Sequence, residues 1–179
     1  MKLSAEKFCK HTWALSIGVG TYASEDFVPL SSPERNASRF ASALIDPNGC
    51  AVPDGQVHTI LGGSALKSPV LSAIRQMAME LKDLDLLLLY FSGHGVVTAD
   101  DFYLCMVDAT LTALADSAIS GSELEDALRE SAAYGILVIV DCCHSGSLAE
   151  HAPGLFLRST TAEFRLIISS SGATRVPGR

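Results

Sequence analysis

The sequence predicts an α/β protein, a three-layer α/β/α sandwich with a mainly parallel sheet. Three observations predict it. The runs LLLLYFSGHG at 86–95 and GILVIVDCCHSG at 135–146 are aliphatic, lack alternation and stop at small and polar residues. Fully buried parallel strands read this way. Further apolar runs at 12–19, 57–61 and 164–170 alternate with segments of helical periodicity. Short connections between alternating strands and helices imply crossover helices covering a parallel sheet.

Taken in order, TWALSIGV at 12–19 is the first strand. The GVGTY that overlaps its end lacks both G-x-G-x-x-G and the lysine of a phosphate loop, so it is no nucleotide signature. Ser32 and Pro33 open the first helix as N-cap and first helical residue. Its apolar face is Ala37, Phe40, Ala41 and Leu44, and Asp46-Pro47-Asn48-Gly49 stops it. A short second strand spans 57–61. Ser68-Pro69 begins the second helix, with Val70, Leu71, Ile74, Met77, Ala78 and Leu81 inward and both its methionines filling the core. After the strand at 86–95, residues 101–107 make a small strand or hairpin. SGSE at 120–123 is a capping box opening the third helix, whose core residues are Leu124, Ala127 and Leu128. The strand at 135–146 follows, then an exposed loop at 147–163 and a last strand at 164–170.

The 179 residues fit one domain, 1–179, and 48% apolar composition suits a compact globule rather than a disordered segment. No apolar run reaches the 18 residues or so of a membrane span, and MKLSAEKFCK does not read as a signal peptide. The five cysteines have no regular spacing, which suits a reducing, cytoplasmic setting better than a disulfide framework. A net charge of −7 without a basic run argues against nucleic acid and suits a protein that binds cationic groups, though mild acidity is common and specifies little. No cofactor is expected.

Reactive groups in a parallel sheet gather beyond the carboxyl ends of its strands, which is where His94 and Cys143 fall. A thiol at its ordinary pKa of about 8.5 is mostly protonated at neutral pH. A neighbouring imidazole can take that proton and later return it to a leaving amine. Alternation past the strand end puts Asp141 and Cys143 on one side and Cys142 on the other, so Cys142 reads as a small buried side chain. His144, adjacent to Cys143 in extended chain, points away from it. Gly93, Gly95 and Gly146 let backbone come close to a substrate. The amides of Gly95 and Cys143 are candidates for an oxyanion hole. Three consecutive residues, Cys142, Cys143 and His144, cannot surround a zinc ion, and no metal site is expected.

SGHG after one strand and DCCHSG after another resemble the caspase and metacaspase superfamily of cysteine peptidases. About 50 positions separate His94 from Cys143, the separation expected of a caspase His and Cys. The nucleophile motif departs from the caspase Q-A-C pattern and matches the metacaspase form. The resemblance covers the chain from its first strand to its last apolar run. It implies a caspase-like fold and an endopeptidase with Cys143 as nucleophile and His94 as acid and base. Such an enzyme would act on a protein or peptide substrate in a cell-death, stress or defence pathway. A related CHAT-type peptidase and an inactive interaction module of the same fold are the alternatives.

The resemblance also implies specificity and regulation. Asp141, two before the nucleophile, matches the metacaspase S1 acid that pairs with Arg or Lys at P1. Asn36 stands where metacaspases carry a second pocket acid, and Leu30 where caspases carry an Arg for acidic P1. Gly121 and Ser122 stand where many metacaspases have paired acids for calcium, and Asp100, Asp101 and Asp108 read as solvated loop acids, so no calcium requirement is expected. The chain stops soon after the first strand that follows the nucleophile. The expectation is a large-subunit-like domain whose last strands are missing or carried by a small-subunit fragment or an activating partner. Arg158 and Arg179 are the candidate processing sites.

Overall fold

The computed structural model describes residues 5–98, 101–143, 162 and 164–169. In chain order the elements are α1 (Ala5–Lys10), β1 (Thr12–Gly18), α2 (Pro33–Ile45), β2 (Val57–Leu61), α3 (Lys67–Glu80), β3 (Leu86–Val97), β4 (Phe102–Cys105), α4 (Leu114–Ser117), β5 (Ala118–Ser120), α5 (Gly121–Leu128), β6 (Gly135–Cys143) and β7 (Phe164–Ser169). Three single 3-10 turns precede β2, α3 and α4.

The fold class is the expected one. β2, β1, β3, β6 and β7 lie side by side and all parallel. The last turn of β3, Gly95 to Val97, leaves that ladder and pairs antiparallel with β4, which pairs antiparallel with β5. The sheet is therefore open and mixed, with a parallel centre.

Alternation along the strands sorts their side chains into two cores. Leu15 and Ile17 of β1, Leu87, Leu89 and Phe91 of β3, and Ile136, Val138 and Val140 of β6 pack on Val70, Ile74 and Met77 of α3 and Leu124 and Leu128 of α5. Ala14, Leu86 and Leu88, with Leu137 and Ile139, meet Phe40 and Leu44 of α2 on the other face. Helices on both faces explain why the strands read as unbroken apolar runs. Each fully buried leucine or isoleucine contributes about 1.5–3 kcal/mol relative to exposure.

Local chemistry explains most boundaries. At α5 the capping box forms: the Ser120 side chain accepts from the Glu123 N–H, and the Glu123 carboxylate accepts from the Ser120 N–H. At α2, Ser32 is the N-cap but makes no side-chain cap bond; its hydroxyl accepts from Arg35 instead. Pro33 at the helix start needs no partner for an N–H, which helps that end form without the cap. α3 begins at Lys67, one residue before the expected start, and the Lys67 N–H donates to Asp108. Met77 is buried as expected, whereas Met79 is 67% exposed. Two positions apart on a helix, the pair cannot share a face.

The expected small strand at 101–107 is a larger excursion. β4, a 3-10 turn, α4 and β5 fold back beside the end of β3, closing a minor core of Phe27, Cys105, Ala109 and Ala118. Burial pushes the Cys105 thiol up to about 12. The expected loop at 147–163 and the strand end at 144–146 lie outside the described residues, save for buried Ala162. None of the described helices is long and apolar enough to cross a membrane.

Candidate active site

β3 and β6 are neighbours. Their register runs from Leu86 beside Gly135 to His94 beside Cys143, with Ser92 beside Asp141. Adjacent parallel strands stand about 4.8 Å apart, so the backbones of His94 and Cys143 meet at the carboxyl edge of the sheet. The side chain of Cys143, and all of His144 and Gly146, lie outside the described residues. So do the processing candidates Arg158 and Arg179.

His94 is held from three directions. Its Nε2 lies 2.8 Å from the carbonyl oxygen of Val28. A carbonyl only accepts, so Nε2 carries the proton and Nδ1 of the neutral ring is the nitrogen left to exchange one. The ring packs against Tyr22 and Phe27 at centroid distances of 5.2 and 5.6 Å. Its backbone N–H donates to the Tyr22 hydroxyl at 2.7 Å.

The loop that supplies Tyr22, Phe27 and Val28 is itself anchored. Ala23 donates to the Val107 carbonyl, and Leu30 to that of Gly20. Gly20 donates to the Glu34 carboxylate at the start of α2. Asp26 accepts from the Leu111 N–H at 2.9 Å, and that bond, then Ser24, holds its carboxyl below the usual range.

Cys142 is buried, on the side of β6 that faces Gly95 and Phe102. A Cβ on Gly95 would stand 2.7 Å from the Cys142 sulfur and 3.0 Å from the Phe102 ring. Glycine at 95 is therefore required by packing across the strands, besides any approach to substrate. Gly95 itself sits opposite Leu104 in the β3–β4 pair.

Asp141 faces the opposite side, toward α2. Its Oδ2 accepts from the Tyr90 hydroxyl at 3.0 Å and from Asn36 Nδ2 and the Ser92 hydroxyl, each at 3.4 Å. All the hydrogen bonds that described residues make to Asp141 fall on this one oxygen. The Tyr90 ring stacks on Phe40 with centroids 4.5 Å apart. Burial, then the bonded carboxylate, pushes the Tyr90 phenol up to about 12. It therefore remains a donor to Asp141 throughout the neutral range.

Among the described residues, the start of α5 does not offer a calcium site. Gly121 is buried there, and the Ser122 hydroxyl donates to Asp101 Oδ2 at 2.7 Å, while Asp101 Oδ1 accepts from Phe102 N–H. Among the described residues no three His, Cys, Asp or Glu gather as a metal site.

Reading the chain in order misses Tyr22, Tyr90, Ser92 and the Val28 carbonyl. Tyr22 stands in the GVGTY stretch and Tyr90 inside an aliphatic run, and both reach their partners across more than 50 positions. No local pattern marks such contacts.

Comparison with known proteins gives the same outline. A family model described as a caspase domain matches residues 11–173. Among solved structures, the crystal structure of protein GSU0716 from Geobacter sulfurreducens superposes with a TM-score of 0.59 at 24% identity. The match covers 79% of this chain and 54% of that one, so the chain spans about half the length of that relative. At this identity the likeness concerns the fold. No curated protein sequence matches the chain.

Proposed function

The chain belongs to the caspase domain family, a family of cysteine peptidases, and from that premise we propose that it is an endopeptidase cleaving after Arg or Lys with a Cys143–His94 dyad. The observation that carries the proposal is the register that sets His94 beside Cys143 with Asp141 two positions before the nucleophile.

In the reaction, the Cys143 thiol gives its proton to Nδ1 of His94, and the thiolate attacks the P1 carbonyl carbon. The carbonyl π electrons move to oxygen, where the N–H groups of Gly95 and Cys143 would stabilise the oxyanion. Collapse expels the P1′ amine, which takes the proton from His94, and leaves a thioester on Cys143. Water, deprotonated by His94, then attacks the thioester and releases the acid and the thiol. The Val28 carbonyl supports each step, because it holds the Nε2 proton while Nδ1 is loaded and unloaded.

Asp141 supports the basic P1 preference. Its Oδ2 accepts from three neutral donors, and among the described residues no donor bonds its Oδ1. A half-buried carboxylate of this kind favours a guanidinium or ammonium and disfavours an acidic P1 side chain. Substrate identity, an activating partner and processing at Arg158 are further parts of this reading. The test is a peptide-library profile of the complete protein with Cys143→Ala as control. Cleavage after Arg and Lys, absent from the control, is expected; cleavage after Asp, or equal cleavage by the control, overturns the proposal.

A further inference from the structure

The β1–β3 ladder is interrupted beside His94. The Val19 N–H donates to the Ser92 carbonyl at 2.9 Å. In a regular parallel ladder a residue that donates to one carbonyl accepts from the N–H two residues further along the same neighbour. For Val19 that partner is the N–H of His94. It does not bond there directly. The His94 N–H donates to the Tyr22 hydroxyl at 2.7 Å, and that hydroxyl donates to the Val19 carbonyl at 3.0 Å. A phenol is thus spliced into the position of one ladder bond.

The splice needs room, and Gly93 provides it. A Cβ there would stand 3.0 Å from the Tyr22 hydroxyl, 3.1 Å from the Val19 oxygen and 2.9 Å from Phe91. The inserted oxygen keeps the His94 backbone away from β1 by the width of a hydroxyl. The Tyr22 ring simultaneously packs on the imidazole and on Phe27, whose neighbour Val28 accepts from Nε2. One side chain therefore governs both the backbone height of His94 and the wall that orients its ring. Burial keeps the phenol protonated far above neutral pH, so that it goes on both donating and accepting.

We propose that Tyr22 is a positioning residue of the site, its hydroxyl setting His94 at the height from which Nδ1 serves Cys143. This rests on the dyad proposed above, so its test separates the two. Alkylation of Cys143 by iodoacetamide, followed by peptide mass spectrometry from pH 5 to 10, reads thiolate formation without a substrate. Imidazole nitrogen shifts in the complete protein read the His94 tautomer.

In Tyr22→Phe, alkylation at pH 7 should fall about tenfold toward the His94→Ala level, with the profile moved to higher pH, and the His94 signals should leave the Nε2–H pattern. Ile74→Val, a core change in α3, lowers stability without the hydroxyl and should change neither readout. Should Tyr22→Phe fail to fold, Gly93→Ala, which crowds the same hydroxyl from β3, is read in the same way. Unchanged His94 shifts and an unchanged profile in the folded variant overturn the proposal, whatever happens to the melting temperature. If His94→Ala alkylates like wild type, the dyad falls. The service to Cys143 falls with it, and the His94 shifts alone then decide whether the Tyr22 hydroxyl positions the imidazole.

Discussion

Among the described residues, His94 and Cys143 are the last Cα partners of the β3–β6 ladder. One step further, β3 pairs antiparallel with β4. The two residues thus sit beside the point where β3 takes up an antiparallel partner.

Replacing Cys143 or His94 by alanine should abolish peptide cleavage, whereas Cys142→Ala should retain most of it. The Cys142 sulfur faces Gly95 and Phe102 in the core, so its loss leaves a small void and lowers stability by about 1 kcal/mol. Steady-state kinetics with thermal melting on the three variants checks this. A dead Cys142→Ala beside an active Cys143→Ala would reverse the assignment.

Asp141→Ala should lower kcat/KM on arginyl peptides by about 2–4 kcal/mol, the range for removing one partner of a desolvated charge pair. Tyr90→Phe, which removes only the 3.0 Å donor to Oδ2, should have a smaller effect, about 1 kcal/mol. Comparing arginyl, lysyl and norleucyl peptides shows whether the loss is confined to charged P1. A uniform loss across all three would point to a general disturbance of β6.

Tyr90 also has a signature in stability. Its phenol titrates near 10 in the unfolded chain and near 12 in the folded one. The folded state therefore holds the proton more tightly. Its contribution is fully present below pH 10 and is lost as pH rises toward 12. Urea melts from pH 8 to 12 should show stability falling across this window, less steeply in Tyr90→Phe. Tyr22 and Cys105, also raised by burial, add to the fall. Parallel curves for the two proteins would contradict the Tyr90 assignment.

Cleavage rates should be equal in chelator and in millimolar calcium, since Gly121 and Ser122 offer no carboxylate and Asp101 is engaged by Ser122 and Phe102. A stimulation of tenfold or more would mean that other acids build a site.

The five parallel strands and three main helices were legible in the sequence because their signals are local. A parallel strand covered on both faces is a continuous aliphatic run, and a capping box such as Ser120–Glu123 lies within four residues. His94 and Cys143 could be singled out as candidates for the same reason, each being a residue type capable of catalysis that ends such a run. Asp141 was a candidate through the resemblance that the DCCHSG motif carries.

What only the tertiary structure decided is lateral. The adjacency of β3 and β6 spans the whole excursion from β4 to α5, and no pattern within either strand names its neighbour. The short strands β4 and β5 owe their form to pairing with the end of β3, because three or four residues carry too little periodicity to define themselves. Tyr90, Asn36 and Ser92 become partners of Asp141 only when α2 and β3 are laid against β6. Tyr22 is the clearest case. Its hydroxyl matters because one ladder bond between β1 and β3 is opened to admit it, and a hydrogen bond between residues 72 positions apart leaves no trace in the order of the amino acids.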